Sequence, residues 1–490
     1  MNEFDELREV RLGKLQALSS KKINPFPSKT HKAYTNQEVE RKFSDWAEKH
    51  KKITLAGRLM SKREHGGLVF GELRDFSGDF QIVFKQDILP AKSWGLLNAL
   101  IDIGDFIEAK GTLFLTQKQE KTLQVEKFTL LAKSLRPLPE KWHGLVDTET
   151  RFRQRYLDLL MNPEVKQRFV LRHQLVQGIR NFLVKAGFIE VDTPALQPLP
   201  GGALAAPFVT HYDALDTDVY LRIAPELYLK RLIVGGFEKV FEFARVFRNE
   251  GVSTQHLQDF TMLEFYMAYS DYEELMKFTE KMLTTVIKKI FGTVQITVGD
   301  RVIDFTLPWP RYSFQELIQQ ETGVDIDACP TVDMLQQAIA NKNIHLTYTG
   351  KASRGKLIDE LYKETVRSKL VNPTFLVDYP LDLSPLAKRK DKEPDKVQRF
   401  QLVVSGMEIV NAFSELNDPL DQKTRFDEQA RNKQEGDMEA HSMDADFIKA
   451  LEYGMPPTAG FGMGIDRLVA LLTNADSIRE AVLFPFVKDK

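Results

Sequence analysis

The 490-residue sequence holds a single cysteine, Cys329. That excludes a disulfide framework and a thiolate metal cluster and suits a reducing compartment. Long apolar runs are also missing, since none approaches the roughly 20 residues that a membrane helix requires. The N-terminus opens on acids (Glu3, Asp5, Glu6) rather than as a secretory signal. Net charge is nearly absent: 67 Lys and Arg stand against 69 Asp and Glu, for a formal charge of −2. No global field therefore draws in nucleic acid, and any such partner must be held by a local patch. These absences predict a soluble, cytoplasmic protein with no membrane partner. What is abundant is apolar and charged side chain together, 43% and 28%, enough for a large core and at least two domains.

Residues 1–52 read as an N-terminal helical extension. Phe4, Leu7, Leu12, Leu15 and Leu18 fall on one helical arc, and Pro25-Phe26-Pro27 ends it. Lys14, Lys21, Lys22 and the run Lys49-His50-Lys51-Lys52 either ride a solvated surface or contact phosphates. Residues 53–135 switch to short strands, near 53–63, 68–75, 80–85, 106–115 and 123–131, with a helix near 87–99 and glycines at the corners. That is the pattern of a five-stranded OB-fold β-barrel. In such barrels aromatic rings on the middle strands stack on bases and amides read their edges. Phe70 and Gln81 are open to those parts, although a barrel phenylalanine alone reads equally as core. Residues 136–162 form a linker, stiff at Arg136-Pro137-Leu138-Pro139 and basic from Arg151 to Arg155. Those arginines either pair with acids of the flanking domains or meet RNA.

Residues 163–490 form the large domain. An amphipathic helix over 163–186 leads into a strand ended by Pro194, and Gly201-Gly202 then leaves backbone open to close approach. Alternation over 240–250 and 260–269 predicts a hairpin with its loop at 251–259. On it Arg248 and Glu250 face one way together, as do Glu264 and Tyr266. Alternation further on puts Asn411, Phe413 and Glu415 on one strand face and Glu408 on the other. Gly460-Phe461-Gly462-Met463-Gly464 then runs into a helix with Arg467 in its first turn.

Taken in order, the proline-ended strand, Phe247-Arg248-Asn249-Glu250, Glu408-Ile409-Val410-Asn411-Ala412-Phe413-Ser414-Glu415 and Gly462-Met463-Gly464-Ile465-Asp466-Arg467 resemble the three motifs of class II aminoacyl-tRNA synthetases. The segment Arg222-Ile223-Ala224-Pro225-Glu226-Leu227 and the N-terminal barrel narrow the resemblance to the lysyl-tRNA synthetases of that class. It covers nearly the whole chain. It implies an α+β protein in which an OB-fold anticodon-binding barrel precedes an antiparallel-sheet catalytic domain that forms a homodimer. It also implies a two-step ligase reaction with ATP, L-lysine and tRNA(Lys) as substrates and Mg2+ as cofactor. Carried over residue by residue, Arg248 and Arg467 are the catalytic cations, and Arg248, Glu250, His256, Phe260 and Arg467 bind ATP. Gly202, Glu226, Glu264, Tyr266, Asn411, Phe413 and Glu415 hold lysine, with Glu226 and Gly202 at its α-amino group and Glu415, Tyr266 and Glu264 at its ε-ammonium. Phe70 and Gln81 become anticodon readers. Glu408 and Gln401 occupy the metal positions, Gln401 standing where the family has an acid, and an amide oxygen is a poorer ligand for a hard cation. The loop at 253–260 and Ala206 also depart from the common pattern. Two other readings stay open: a paralogue that lysylates a protein acceptor, and a non-catalytic lysine or nucleotide sensor.

Overall fold

The computed structural model describes residues 3–139, 145, 147–203, 205–251, 253–346, 353–434 and 443–488. Two compact units divide at Val146 and Asp147. Among the described residues no helix is long and apolar enough to cross a membrane.

The first unit carries helices α1 (Glu3–Ser20) and α2 (Asn36–Glu48), then strands β1 (Ile53–His65), β2 (Leu68–Asp75) and β3 (Gly78–Lys85), helix α3 (Ala91–Leu100), and strands β4 (Phe106–Leu115) and β5 (Lys121–Ala132). The five strands close into a barrel in the order β1-β2-β3-β5-β4, as their alternation predicts. The N-terminal helices are not a separate extension. Leu18, Val39, Phe43 and Trp46 are buried in one cluster with Leu55, Ile82, Phe84 and Leu123 of the barrel. Helix α2 starts on a capping box in which Thr35 and Glu38 each accept from the other's backbone. Several lysines weighed as phosphate contacts have acidic partners instead: Lys14 on Asp102 at 2.5 Å, Lys52 on Glu126 at 2.7 Å, and Lys49 on Asp45.

The second unit begins with α4 (Thr148–Arg153) and α5 (Arg155–Met161) and continues through α6 (Pro163–Lys185), β6 (Ile189–Glu190), β7 (Leu196–Gln197), β8 (Val209–Tyr212), β9 (Thr217–Leu221), α7 (Glu226–Val234), β10 (Lys239–Phe247), β11 (Asp259–Ala268) and α8 (Tyr272–Phe291). Then come β12 (Gln295–Val298), β13 (Arg301–Asp304), β14 (Arg311–Ser313), α9 (Phe314–Thr322), α10 (Val332–Asn341), α11 (Arg354–Thr365), β15 (Thr374–Pro380), β16 (Lys396–Val404) and β17 (Met407–Ser414). The chain closes with α12 (Pro419–Gln434), α13 (Ala445–Glu452), β18 (Thr458–Gly464) and α14 (Ile465–Leu472). An eight-stranded sheet in the order β14-β15-β16-β17-β18-β11-β10-β6 is its spine. One face packs Phe241, Leu263, Phe265, Val410, Phe461 and Met463 against α6, α8 and α14. The other face is the trough that holds the site.

The second half of the expected linker belongs to this unit. Arg155 is fully buried and donates to the carbonyls of Leu483 and Val482 at 2.9 and 3.3 Å. Its Nη1 meets Asp158 at 2.5 Å, and the other oxygen of Asp158 accepts from Arg151 at 2.8 Å. Of the two readings of this basic stretch, the geometry of Arg151 and Arg155 is that of pairing with an acid. Removing one partner of a buried ion pair strands the other charge, which costs about 3–5 kcal/mol. Asp158→Ala is therefore expected to lower the thermal midpoint of the second unit by calorimetry, while the transition of the barrel unit stays in place.

Candidate active site

Strand β18 explains the trough. Gly460, Gly462 and Gly464 point to the open face, while Phe461 and Met463 point into the core. Gly460 lies opposite Tyr266 on one neighbour and Phe413 on the other, and Gly462 lies opposite Glu264 and Asn411. A strand without side chains thus forms the floor between two strands that carry the polar groups. A Cβ at Gly460 would lie 1.9 Å from Oε1 of Glu415 and 2.6 Å from the ring of Tyr266, so only glycine fits there. Gly202 has φ +86°, and a Cβ would lie 2.8 Å from that of Glu226.

One cavity of about 290 Å³ is lined by Gly202, Glu226, Arg248, Glu250, His256, Phe260, Glu264, Tyr266, Glu408, Asn411, Phe413, Glu415 and Arg467. The sequence-predicted residues of the large domain, Gln401 apart, therefore meet in one place. Two expectations about their setting need correction. Strand β10 ends at Phe247, so Arg248 and Glu250 sit in the connecting loop, held where the Arg248 N–H donates to the Gln258 carbonyl at 2.8 Å. Glu408 is not turned away from Asn411. The pairing of β16 with β17 shifts where Leu402 faces Val410 and Val403 faces Glu408, and the extra residue, Ile409, brings Glu408 to the side of Asn411.

Gln401 pairs with Asn411 across β16 and β17 and shares its face of the sheet, but it is 7% exposed and does not line the cavity. Its Oε1 accepts from the Tyr379 hydroxyl at 2.7 Å and its Nε2 donates to Glu408 at 2.8 Å. As assigned by this network, the amide oxygen faces Tyr379 and the nitrogen faces Glu408. The amide orients the Glu408 carboxylate. Among the described residues no group of three or more His, Cys, Asp or Glu is arranged to cage a metal. The donor set still fits magnesium, which takes one or two carboxylates and completes its shell with substrate phosphates and water.

At the mouth, the Arg248 guanidinium lies 5.1 Å from the Phe260 ring. Arg467 donates to the Glu408 carbonyl at 3.3 Å. Beside it, Asp466 is 1% exposed and ties α14 to β11 by accepting from the Thr261 N–H at 2.7 Å. The departing loop is anchored by apolar contact: Leu257 is buried with Ile478, Val482 and Phe260, and the Ile478 N–H donates to the Thr254 carbonyl at 3.0 Å. Gln255 and His256 line the cavity beside it.

At the inner end Glu226, Glu264 and Glu415 are 7%, 4% and 1% exposed. The Tyr266 hydroxyl donates to Glu264 at 3.1 Å. Burial first, then repulsion from Glu226, pushes Glu264 well above the ordinary carboxylate range. Glu415 is pushed up by burial too, against the pull of a lysine ammonium beside it. The strongest chemical property of the trough is this shortage of positive charge, which a ligand with ammonium groups would relieve.

Two polar residues here were not foreseen. Arg399 donates from Nε to Oδ1 of Asn411 at 2.8 Å and from Nη1 to the Leu383 carbonyl at 2.6 Å, so the amide nitrogen of Asn411 is the half left to a ligand. Lys230 pairs with Glu226 and Glu415. The four-residue spacing from Glu226 to Lys230 is a helical ion-pair signal that the sequence carried. In the barrel unit, Phe70 and Gln81 share the outer barrel face through the pairing of β2 with β3. Gln81 donates to Glu120 at 2.8 Å and accepts from Thr122 at 2.6 Å, which adds Glu120 to that surface.

Comparison with known proteins shows what the whole chain is similar to. The family described as tRNA synthetases class II (D, K and N) matches residues 147–488, and the family described as OB-fold nucleic acid binding domain matches residues 53–131. The chain is 49% identical to the lysine–tRNA ligase of Carboxydothermus hydrogenoformans over all of this chain and 99% of that protein. It is 48% identical to that of Pelotomaculum thermopropionicum, covering all of this chain and 96% of the relative. The corresponding protein of Thermotoga maritima is 46% identical over 99% of this chain and 96% of its own length.

The floor makes a sharp prediction. Gly460→Ala should displace the Glu415 carboxylate and abolish calorimetric binding of a diammonium ligand, while the thermal midpoint moves by no more than a few degrees.

Proposed function

The chain belongs to the class II tRNA synthetases, to the lysine–tRNA ligases among them, and we propose that its trough is where lysine and ATP meet. The enzyme joins lysine to tRNA at the expense of ATP. One observation carries the assignment of the pocket: among the described residues three carboxylates converge in a buried trough with a single buried ammonium among them. An aspartate pocket would need cations in excess at that depth, whereas here three acids face the one ammonium of Lys230.

In this reading Glu226 and Gly202 take the α-amino group, Phe413 packs on the methylenes, and Glu415, Glu264 and Tyr266 take the ε-ammonium. Asn411, fixed by Arg399, presents its amide N–H to the substrate carboxylate. Phe260 and Arg467 flank the adenine, Glu250 accepts from its amino group, and His256 lies alongside the phosphates. Arg248 lies between the two halves, where it draws the lysine carboxylate and the α-phosphate together. A carboxylate oxygen attacks the α-phosphorus, the bond to the bridging oxygen breaks, and pyrophosphate leaves. The 3′ hydroxyl of tRNA then attacks the lysyl carbonyl and AMP leaves. Little covalent work falls to the protein, so fixed guanidiniums and held-in-line reactants supply most of the acceleration. Glu408, oriented by Gln401, would hold magnesium, which supplies further neutralisation of phosphate charge when bound.

Phe70 and Gln81, with Glu120 beside them, read the anticodon of tRNA(Lys) from the barrel face, where single-stranded bases stack on an aromatic ring. The protein works in the cytoplasm as a homodimer. Support comes from its lone, buried Cys329 and from the exposed Leu196, Val209, Tyr212 and Leu215 beside the three-stranded sheet β7-β9-β8, a patch of the kind that marks protein interfaces.

Incubation with ATP, lysine and tRNA tests the reading, with lysine-dependent pyrophosphate exchange and charged tRNA both followed. Exchange with charging is expected. Exchange without charging would favour a protein-acceptor paralogue, and no exchange a sensor. Within the pocket, Glu415→Gln removes a charge but keeps the shape. It should raise the lysine KM by about 10²-fold, the scale of about 3 kcal/mol for a buried charge pair. The ATP KM should stay nearly constant, and equal losses for both substrates would contradict the assignment.

A further inference from the structure

Among the described residues Lys230 is the one buried cation paired with the acids at the inner end of the trough, with 0% of its side chain exposed. It projects from α7, one helical turn after Glu226. Its Nζ meets Oε1 of Glu226 at 2.5 Å and also pairs with Glu415, itself 0% exposed. Beyond that ion pair, no hydrogen-bond donor among the described residues reaches either oxygen of Glu415. The ammonium also lies 5.5 Å from the ring of Phe413 and 5.9 Å from that of Phe447. Other charged groups face the same space from each neighbouring element: Glu264 and Tyr266 from β11, and Arg248 from the loop after β10. Towards α13, Arg231 is engaged with Asp444 and Asp446. Burial alone would push the Lys230 ammonium to shed its proton, but Glu226 and Glu415 more than offset it and hold its pKa above the ordinary lysine value.

Resting on the lysine pocket assigned above, we infer that Lys230 is a positioning residue for substrate selection. Its ammonium bridges the carboxylate that takes the substrate's α-amino group and the one that takes its ε-ammonium. It thereby fixes their separation, and it leaves the three acids two negative charges in excess, the complement of two ammonium groups. A protein side chain of the same chemistry as the substrate tail thus acts as the permanent strut between the two subsites. Without it, the buried acids would relieve their repulsion by taking up protons, and lysine would have to expel those protons to bind.

The test uses the full-length enzyme with Lys230→Met, which keeps the length and removes the charge, and Lys230→Ala with and without added propylammonium. Lysine KM, ATP KM and kcat are measured by pyrophosphate exchange from neutral to alkaline pH. In Lys230→Met the lysine KM is expected to rise at least about tenfold with the ATP KM unchanged. It should also fall more steeply with rising pH than in the parent enzyme, and propylammonium should restore part of the lost affinity in Lys230→Ala. Lysine and ATP KM rising together, an unchanged pH slope, or variants that do not fold would each overturn the inference and leave Lys230 a structural residue. Glu415→Gln run in parallel separates the two claims. If it leaves the lysine KM alone, the pocket assignment fails. If it raises the lysine KM and Lys230→Met does not, only the role of Lys230 fails.

Discussion

Burying a carboxylate is expensive unless a cation or several donors accompany it, and this chain buries three side by side. Glu226, Glu264 and Glu415 share one ammonium, that of Lys230, and a phenol, that of Tyr266. An arrangement so short of positive charge is a cost to the free protein, and it is tolerable where a ligand regularly supplies the missing cations. The rest of the site follows from that imbalance. The guanidiniums of Arg248 and Arg467 line the same cavity, and the proposed function gives them the carboxylate and the phosphates. In that reading a zwitterion with a charged tail is oriented before any chemistry begins.

The sheet makes the imbalance possible. Its central strand gives up side chains on one face, so Glu264 and Tyr266 of β11 and Asn411 and Phe413 of β17 can lean over a bare floor. On the opposite face Phe461 stacks on Phe265 at 4.3 Å, and the helices bury both. The same strand is therefore a fully packed core element and an open binding surface, and the alternation of glycine with large apolar residues is its signature. Rigidity beneath the floor keeps the acids from moving apart to relieve their repulsion.

Much of this was legible in the sequence. Period-two alternation gave the barrel strands and the hairpin, and the glycine-spaced strand running into Arg467 appears as read. What escaped depends on tertiary contact. The bulge at Ile409 reverses the face of Glu408, and no residue type announces it. The ends of β10 came out too long because polar alternation continues through Arg248 and Glu250 after the ladder has stopped. Helices α1 and α2 carry enough charge to look peripheral, yet Leu18, Phe43 and Trp46 complete the barrel core. Gln401 reads as a weakened metal ligand by its position, whereas its amide is engaged by Tyr379 and Glu408. Lys230 was missed although its spacing from Glu226 was plain, because an acid and a lysine four apart on a helix usually form a solvated pair.

The central claim is that the free trough is overloaded with negative charge and that lysine relieves it. Calorimetric titration of the wild-type enzyme with lysine and with norleucine, which has the same length and no ε-ammonium, measures what the second ammonium contributes. Because the buried acids share the ammonium of Lys230, a ligand that brings only an α-amino group leaves charge at the inner end uncompensated. Lysine binding with no detectable binding of norleucine is the predicted result. Norleucine binding as well as lysine would contradict it.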